Sequence, residues 1–377
     1  MKRIATTPRK DWERKVEEVA LIFHTAHGVP YWDESVYFEL NEDDVAKIEA
    51  ATNELHARCL DAMQHVIDQN RFEELHLSKR AKELAVRSWQ DDPPSIYGRF
   101  DLAYDGKNEP KLLEYNADTP TSLLEAGAVQ WHWLEELFPG ADQFNSIHER
   151  LIAAWTGLRP YIPNGVVHFA STEDPEDVLT TAYMRDLAAQ SGLATVQLTM
   201  EEIGYNAKSN EFRDLSDTPI TTCFKLYPWE WMIQEKFGAD LSPTYDKTQW
   251  IEPAWKQILS NKGILAILWE LFPEHPNLLP SSFKPMGETY VKKPFLSREG
   301  ANISVVEHGK VTAQGHDHGY GREASVYQAL APLFRENGSS AVVGSWVVQG
   351  QAAGVGIREA NGSITDNFSR FVPHIIR

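Results

Sequence analysis

Apolar and polar positions recur with different periods along the chain, and each period predicts a different element. Over residues 43–87 an apolar residue returns at nearly every third or fourth position, with charges between, which predicts a long helical hairpin. The same period over 123–138 predicts an amphipathic helix, and Ser122 with Glu125 fits a capping box at its start. A further helix is predicted over 251–272.

The middle and the end of the chain carry shorter patterns. Residues 165–170 and 195–198 are strand-like, and residues 175–191 between them are helix-like, which predicts a small α/β lobe. Short β segments with glycine turns dominate from residue 289 onward. The pattern as a whole predicts a mixed α/β protein with interleaved lobes.

A predicted β-hairpin carries the most informative polar residues. Its two strand-like segments flank a turn-forming sequence at 105–110. Because side chains alternate between the two faces of a strand, Arg99 and Asp101 share one side, as do Glu114 and Asn116. Symmetric pairing about the turn places Asp101 opposite Glu114 and Arg99 opposite Asn116.

This set of groups points to a metal site. Two carboxylates, a carboxamide and a guanidinium are costly to place on an apolar strand pair unless something binds there. Oxygen ligands at this density suit Mg²⁺, which typically takes one or two carboxylates and leaves its other positions to water and nucleotide phosphates. The alternative is a cross-strand ion pair on a solvated sheet face.

The second half of the chain holds cations in unusual settings. Lys293 ends a predicted strand and is followed by a loop with Arg298 and Gly300, a device suited to closing over phosphates, although an ordinary surface hairpin fits as well. Neither a P-loop nor a Rossmann glycine motif occurs. Lys262 has apolar neighbours, for which snorkelling is the usual explanation, and Arg358 has small and apolar ones.

Composition narrows the function classes. The chain has 377 residues and a formal net charge of -18, which disfavours nucleic acid and anionic membrane surfaces as partners. No apolar run approaches the length of a spanning helix, and the N-terminal residues lack a secretory apolar segment, so a cytoplasmic location is expected. Cys59 and Cys223 are the only cysteines and are predicted to be buried thiols.

Six ordered motifs closely resemble the glutathionylspermidine synthase family, across about residues 11–373. They are Tyr97-Gly-Arg-Phe-Asp-Leu, Lys111-Leu-Leu-Glu-Tyr-Asn-Ala-Asp-Thr-Pro-Thr-Ser122, Phe224-Lys-Leu-Tyr-Pro-Trp-Glu230, Glu252-Pro-Ala-Trp-Lys, Ser260-Asn-Lys262 and Lys293-Pro-Phe-Leu-Ser-Arg-Glu-Gly-Ala-Asn302. The resemblance implies an ATP-grasp fold of the glutathione-synthetase-like type. It also implies an enzyme that joins a carboxylate to an amine through an acyl phosphate made from ATP. Only the synthetase portion is matched, without the amidase domain of the bifunctional members.

The resemblance also assigns roles to individual positions, with ATP and Mg²⁺ as cofactors. It implies that Arg99 stabilises the phosphoryl-transfer transition state and that Asp101, Glu114 and Asn116 are the metal ligands. The positions implied to contact nucleotide are Lys262, Lys293, Arg298, Glu299, Gly300, Gln328, and a strand of Ser363, Ile364 and Thr365. Those implied to contact substrate are Thr119, Glu176, Asp177 and Arg358.

Two positions depart from the family pattern. Arg370 stands where the family presents an acid to a polyamine, and Leu226 replaces a polar position that contacts the peptide substrate. The catalytic core is therefore better matched than the substrates. The approximate sub-lobes expected are 1–160 with the helical hairpin and the metal hairpin, 161–250 as the α/β lobe, and 251–377 as the nucleotide-binding β-rich lobe.

Three functions from different classes compete at this point. The leading hypothesis is an ATP- and Mg²⁺-dependent ligase acting on a small carboxylate, such as a thiol peptide, and an amine. The alternative is a nucleotide-binding sensor or partner-binding protein without ligase turnover, which Arg370 and Leu226 motivate. A carbohydrate-active enzyme, suggested by acids and tryptophans, leaves Lys262, Lys293 and the glycine loop without a purpose.

Overall fold

The computed structural model describes residues 1–26, 28–317, 324–362, 364–365 and 369–377. Its α-helices are α1 Trp12–Glu17, α2 Glu42–Asp68, α3 Lys79–Asp91, α4 Gln130–Leu137, α5 Ile147–Leu158, α6 Pro175–Gln190, α7 Trp229–Gln234, α8 Lys256–Ser260 and α9 Ile264–Leu271. A π-helical turn, Glu125–Val129, precedes α4. The 3-10 turns are Arg71–Glu73, Arg159–Tyr161, Pro163–Gly165, Met200–Glu202 and Gly238–Asp240.

The strands are short, apart from two long ones near the C-terminal end. They are β1 Lys2–Ala5, β2 Thr25–Ala26, β3 Val29–Pro30, β4 Val36–Leu40, β5 Tyr97–Ala103, β6 Lys111–Asn116, β7 Val166–Ser171, β8 Ala194–Thr199, β9 Gly204–Asn206, β10 Glu211–Arg213, β11 Thr222–Leu226, β12 Gln249–Ile251, β13 Ser281–Ser282, β14 Tyr290–Pro294, β15 Ser304–Glu307, β16 Lys310–Gln314, β17 Ser325–Gln328, β18 Phe334–Glu336, β19 Ser339–Val348, β20 Gln351–Asn361, β21 Arg370–Val372 and β22 His374–Ile376.

Three larger sheets organise the chain. The central sheet has the order β21-β20-β19-β5-β6, so strands from residues 339–372 lie beside strands from residues 97–116. A parallel sheet, β12-β11-β7-β8, carries α6 as the crossover between β7 and β8. An antiparallel sheet, β13-β17-β14-β15-β16, holds the predicted phosphate loop between β14 and β15. The smaller β1-β4-β22 sheet also joins the two ends of the chain, as expected of interleaved lobes.

The helical hairpin supports the central sheet from one side. Helix α2 begins at a capping box in which the Asn41 side chain accepts from the Asp44 amide and the Asp44 side chain accepts from the Asn41 amide. Its apolar positions, among them Ile48 and Leu55, are buried in one core with Phe100 of β5. The helices predicted over residues 43–87 are therefore confirmed as α2 and α3.

The predicted helix over 251–272 is wrong in its first part. Ile251 ends strand β12, and the helical residues that follow form two short helices, α8 and α9, instead of one. The break lies at Lys262, whose amide donates to the Phe295 carbonyl, while the Asn261 side chain accepts from the Gly263 amide. Lys262 consequently sits at an interruption between helices and not at the centre of one.

Both cysteines lie in the protein core. Cys59 and Cys223 are both free and buried, as predicted. None of the helices in the described ranges combines the length and the apolar character needed to span a bilayer.

Candidate functional site

The β5–β6 hairpin has the register that its sequence predicts. Asp101 pairs with Glu114 and Arg99 with Asn116, with a register shift immediately after Asp101. Strand β19 covers the other edge of β5 and places Gly344 opposite Asp101. A Cβ at Gly344 would lie 3.0 Å from Arg99 Cδ, so this glycine gives the arginine room to lie along the sheet face.

Arg99 is held in one orientation by three hydrogen bonds. Its Nε donates to Asp101 Oδ1 at 2.7 Å, one terminal nitrogen donates to Asp101 Oδ2 at 3.1 Å, and the other donates to the Thr121 carbonyl at 2.7 Å. Burial disfavours the charge, but the Asp101 carboxylate outweighs it and raises the pKa of Arg99 above its usual value. The guanidinium is therefore a fixed, permanently positive group.

The two predicted metal carboxylates share a bridging amide. Asn116 Nδ2 donates to Asp101 Oδ2 at 3.3 Å and to Glu114 Oε1 at 3.1 Å. Glu114 Oε2 also lies 3.1 Å from Lys262 Nζ. Across the described ranges, no group of three or more His, Cys, Asp and Glu side chains is placed to hold a metal ion. A hard cation at this point would therefore rely on two carboxylates, non-protein ligands and, after rotation of its amide, the Asn116 oxygen, a donor set that suits Mg²⁺.

Glu114 is strongly coupled to two lysines. Burial alone would raise the pKa of Glu114, but the charges of Lys262 and Lys293 lower it to about 2. Burial lowers the pKa of Lys293 to about 8, against the opposing effect of Glu114. Both lysines are almost fully buried, so two cations lie beside the Glu114 carboxylate, and Asp101 also acts on Lys293.

A cleft of about 750 Å³, open to solvent, begins at Asp101 and Glu114 and extends between the central and antiparallel sheets. Lys293 reaches it from β14 and donates to Gln328 Oε1 at 2.7 Å, while Gln328 Nε2 donates to the Leu112 carbonyl at 3.1 Å. The other residues lining it are mostly apolar: Leu113, Val291, Gly300, Ile303, Val305, Ala329, Leu330, Ala331, Leu333, Arg335, Val342, Ile364 and Thr365. This shape suits a flat apolar group with a charged tail.

The loop after β14 folds against the C-terminal segment. Gly300 has φ +70°, and a Cβ there would lie 2.3 Å from the Thr365 carbonyl oxygen, so only glycine fits without displacement. The backbone of the preceding residue, Glu299, is also in the left-handed region, with φ 53°. Ile364 and Thr365 line the cleft but are not in a strand, which corrects that expectation, and Ser363 lies outside the described residues.

Arg298 connects this loop to the predicted substrate residues. It donates to Thr119 Oγ1 at 2.9 Å and lies 3.7 Å from Glu230. Its charge also acts on Asp177, where burial raises the pKa to about 6 in spite of the arginine. Thr119 and Asp177 thus belong to the same surroundings as the loop.

A second, smaller pocket of about 300 Å³, also open to solvent, adjoins the first at Asp101 and Thr365. Arg99 and Arg358 line it, together with Ser122. The Ser122 hydroxyl donates to Glu176 Oε1 at 3.3 Å. Glu176, which is also a predicted substrate residue, therefore lies next to the lining of this smaller pocket. The candidate residues that line the two pockets are Arg99, Asp101, Glu114, Lys293, Gly300, Gln328, Arg358, Ile364 and Thr365. Asn116, Lys262 and Glu176 each contact a residue of that lining.

The capping box predicted at Ser122 and Glu125 is wrong. Ser122 has φ 64°, and both side chains contact Tyr31 instead of backbone amides at a helix start. Glu125 lies in the π-helical turn and is buried. The spacing between Ser122 and Glu125 predicts helix capping and gives no sign of the contacts with Tyr31. Glu125 and Tyr31 are therefore members of the site that the sequence does not indicate.

A buried ion pair beneath the site was also missed. Asp118 follows the hairpin and its Oδ1 lies 2.6 Å from Lys225 Nζ, with both side chains almost completely buried. Asp118 Oδ2 also accepts from the Trp229 amide at 3.0 Å. This pair ties the central sheet to the carboxyl end of β11 in the parallel sheet.

Comparison with known proteins settles the family. The family model described as glutathionylspermidine synthase preATP-grasp matches residues 3–377. The chain belongs to the glutathionylspermidine synthase family. The resemblance drawn from the six motifs is therefore confirmed.

Relatives within the glutathionylspermidine synthase family differ in length. A protein of Haemophilus influenzae, provisionally named an acid–amine ligase, is 41% identical over 392 residues, with 99% of each chain covered. Trypanothione synthetase of Crithidia fasciculata is 29% identical, and the bifunctional glutathionylspermidine synthetase/amidase of Escherichia coli is 27% identical. These two alignments cover 89% and 90% of this chain but only 56% and 59% of those relatives. The prediction of an acid–amine ligase is confirmed at the level of the family.

A solved structure supports the fold. A glutathione synthetase-like effector from Globodera pallida aligns with a TM-score of 0.57 at 10% identity, covering 97% of this chain and 98% of that one. The predicted ATP-grasp fold of the glutathione-synthetase-like type is confirmed.

The two residues that depart from the glutathionylspermidine synthase pattern, Arg370 and Leu226, both contact other residues of this chain. Arg370 lies 2.8 Å from Asp33 and also pairs with Glu359, so acids of this chain partly neutralise its charge. Leu226 is buried in the core formed by Phe169 and Phe224. Arg370 is therefore not the acid, and Leu226 not the polar residue, that the family pattern has at these two positions.

Proposed function

We propose that the protein is an ATP- and Mg²⁺-dependent acid–amine ligase that forms an amide bond through an acyl phosphate. The observation that carries the proposal is the joint placement of Arg99, the Asp101–Glu114 carboxylate pair and two buried lysines beside two pockets that share Asp101. A charge arrangement of this kind suits phosphoryl transfer, in which positioning and electrostatic stabilisation supply most of the catalysis.

In this proposal the larger cleft takes the nucleotide. Lys262 and Lys293 contact its phosphates, and Asp101, Glu114 and Asn116 would hold Mg²⁺. The bound metal supplies positive charge that offsets the charge of the phosphates during transfer. Gln328, Ile364 and Thr365 lie along the apolar part of the cleft, where an adenine fits, with Ser363 as a further predicted contact.

The loop residues Arg298, Glu299 and Gly300 cover the phosphates. The contact between Gly300 and Thr365 supports this role, because it brings the loop against the segment that lines the cleft. Closure would exclude water from the acyl phosphate, which water would otherwise hydrolyse.

The smaller pocket takes the substrate carboxylate and the amine. Arg358 supplies a positive charge for an anionic substrate, and Arg99 lies between this pocket and the nucleotide cleft. Arg99 is therefore placed to stabilise the phosphoryl group as it moves onto the carboxylate. Thr119, Glu176 and Asp177 complete the substrate side, with the two acids suited to a cationic amine.

A substrate panel tests the proposed function. We would measure ADP release from Mg-ATP with glutathione, other thiol peptides and small carboxylic acids, each with and without spermidine, other polyamines and amino acids. Release that requires both an acid and an amine would establish the ligase and begin to identify its substrates. ATP binding without release across the panel would favour a nucleotide-binding protein without turnover.

Arg99→Lys tests the role of the fixed guanidinium. Lysine keeps the charge but cannot reproduce the bonds to both Asp101 oxygens and to the Thr121 carbonyl, so the charge should lose its position. We expect kcat to fall roughly a hundredfold, or about 3 kcal/mol. Arg87→Lys, at an exposed ion pair with Asp246, is the matched control. An unchanged kcat in Arg99→Lys would remove Arg99 from the mechanism.

A further inference from the structure

Four side chains from three distant parts of the chain form a continuous line of hydrogen-bonding oxygens. Tyr31 Oη lies 2.7 Å from Glu125 Oε1 and 3.0 Å from Ser122 Oγ. Ser122 Oγ lies 3.3 Å from Glu176 Oε1. A carboxyl group therefore stands at each end, and two hydroxyl groups connect them.

The number of protons in this line determines how many of its three hydrogen bonds can form. Three contacts need three protons, but when both carboxylates are ionised only the hydroxyls of Tyr31 and Ser122 supply one each. If each hydroxyl donates to its neighbouring carboxylate, the contact between the two hydroxyl oxygens has no proton. One additional proton on either carboxyl group completes all three hydrogen bonds. The line is thus built to accept one proton and to hold it at either end.

The two ends lie in different surroundings. Glu125 and Tyr31 are buried, whereas Glu176 is partly exposed at the start of α6. Ser122, in the middle, lines the smaller pocket beside Arg99. The line therefore leads from the predicted amine side of the pocket into the interior.

Other charged groups face both ends. Glu125 feels the charges of Glu176 and Arg358 in addition to its bond from Tyr31. Glu176 in turn acts on the charged group of Arg99 and on the neighbouring Asp177. Arg358 and Arg99 thus oppose protonation of the line, while the adjacent acids favour it.

We propose that Ser122 and Tyr31 pass a proton from Glu176 to Glu125 when the amine attacks the acyl phosphate. This inference rests on the proposed ligase function and adds to it the route by which the amine is deprotonated. Glu176 touches the amine in this scheme, whereas Glu125, Tyr31 and Ser122 are positioning residues that act through it.

Atoms and charge are conserved in this step. The amine arrives as an ammonium ion and loses two protons in all. Its nitrogen forms the C–N bond to the acyl carbon, and the C–O bond to the phosphate breaks. One proton leaves with the phosphate, which departs as hydrogen phosphate, and the other goes to Glu176. Each proton of the line then shifts by one position, so that Glu125 becomes neutral and Glu176 is ionised again.

The surroundings of Glu125 favour its role as the receiving end. Burial and the nearby Glu176 raise the pKa of Glu125 to about 7, although the bond from Tyr31 and the charge of Arg358 oppose this. Above that pH Glu125 is ionised and can take up a proton, and below it the site is already filled. The kcat for amide formation should therefore fall as the pH decreases through about 7.

The first test uses the protein without substrate. An infrared pH titration of the wild type should show a carboxyl group becoming protonated near pH 7, separate from Asp177 at about 6, and Glu125→Gln should abolish only the signal near pH 7. The glutamine keeps the shape of the side chain and can still accept from Tyr31, so the fold should be retained. An unchanged signal in Glu125→Gln would overturn the assignment of the receiving end.

The second test separates amine deprotonation from acyl phosphate formation. With an acid and amine pair that is active in the wild type, Glu125→Gln and Tyr31→Phe should each lower kcat for amide formation roughly a hundredfold. Both should lose the decline of kcat near pH 7, with KM for ATP unchanged. Hydroxylamine is uncharged at neutral pH and needs no deprotonation before attack, so hydroxamate formation from the same acid should remain close to wild type in both variants.

Tyr183→Phe is the matched control. Its hydroxyl is also buried, lies against Gly127 of the same π-helical turn and bonds His148 rather than the line of oxygens. It should leave the pH profile unchanged. A wild-type pH profile and amide rate in Tyr31→Phe would overturn the proton relay while leaving the ligase intact. Absence of both ADP release and hydroxamate in the wild type would instead count against the proposed function itself.

Discussion

Glu114→Gln should abolish measurable ligase turnover, with kcat for ADP release reduced about a thousandfold, or roughly 4 kcal/mol. The substitution removes one of the two carboxylates that would hold Mg²⁺. Binding of the metal is then weakened, and the positive charge that offsets the phosphates is lost with it. The substitution also removes the charge that holds up the pKa of Lys293, which burial already lowers to about 8. At neutral pH a larger fraction of Lys293 should then be uncharged, which weakens a second contact with the phosphates.

Two measurements make this prediction specific. Glu307→Gln, an exposed acid on β15 that accepts from Thr312, should keep wild-type kcat and serves as the matched control. The affinity for ATP should depend on Mg²⁺ in the wild type and in Glu307→Gln, and lose most of that dependence in Glu114→Gln. Wild-type turnover in Glu114→Gln would contradict the assignment of the metal site.

Asp118→Ala should lower the free energy of unfolding by about 3–5 kcal/mol, because it leaves the Lys225 ammonium buried without its carboxylate partner. The Trp229 amide would lose its acceptor at the same time. Chemical denaturation at neutral pH measures this loss directly. Because the pair joins two sheets near the site, we also expect reduced activity at temperatures where the wild type is fully folded.

A double mutant separates the unpaired charge from the lost contacts. Asp118→Ala combined with Lys225→Met leaves no unpaired charge at this position and should recover most of the stability. Asp246→Ala, which breaks the exposed pair with Arg87, should cost less than about 1 kcal/mol. A double mutant no more stable than Asp118→Ala would show that the buried ammonium is not the cause.

The sequence predicts the hairpin and its register because both depend on local rules. Side-chain alternation and a turn at 105–110 are sufficient to place Asp101 opposite Glu114, and the structure has this pairing. The helices α2 and α3 and the strand–helix–strand unit of β7, α6 and β8 follow from period and length in the same way. Roles in ATP and metal binding remain predictions that rest on the family and on this geometry.

The missed features depend on partners that are distant in sequence. A serine followed three residues later by glutamate predicts a capping box, and only the approach of Tyr31 makes Glu125 part of a different arrangement. Likewise, the helix break at Lys262 is stabilised by the Phe295 carbonyl, which periodicity cannot indicate. Tertiary contacts override local preference at such positions.

The order of strands in the central sheet has a consequence for how the protein folds. Strands β5 and β6 are neighbours in sequence and can pair early, whereas β19 and β20, which complete the sheet, are separated from them by most of the chain. Loop closure over such separations slows folding. During synthesis the apolar side of the hairpin stays uncovered until the last part of the chain has been made. This protein should therefore depend more on chaperones that protect an incomplete sheet than does a protein whose neighbouring strands are close in sequence.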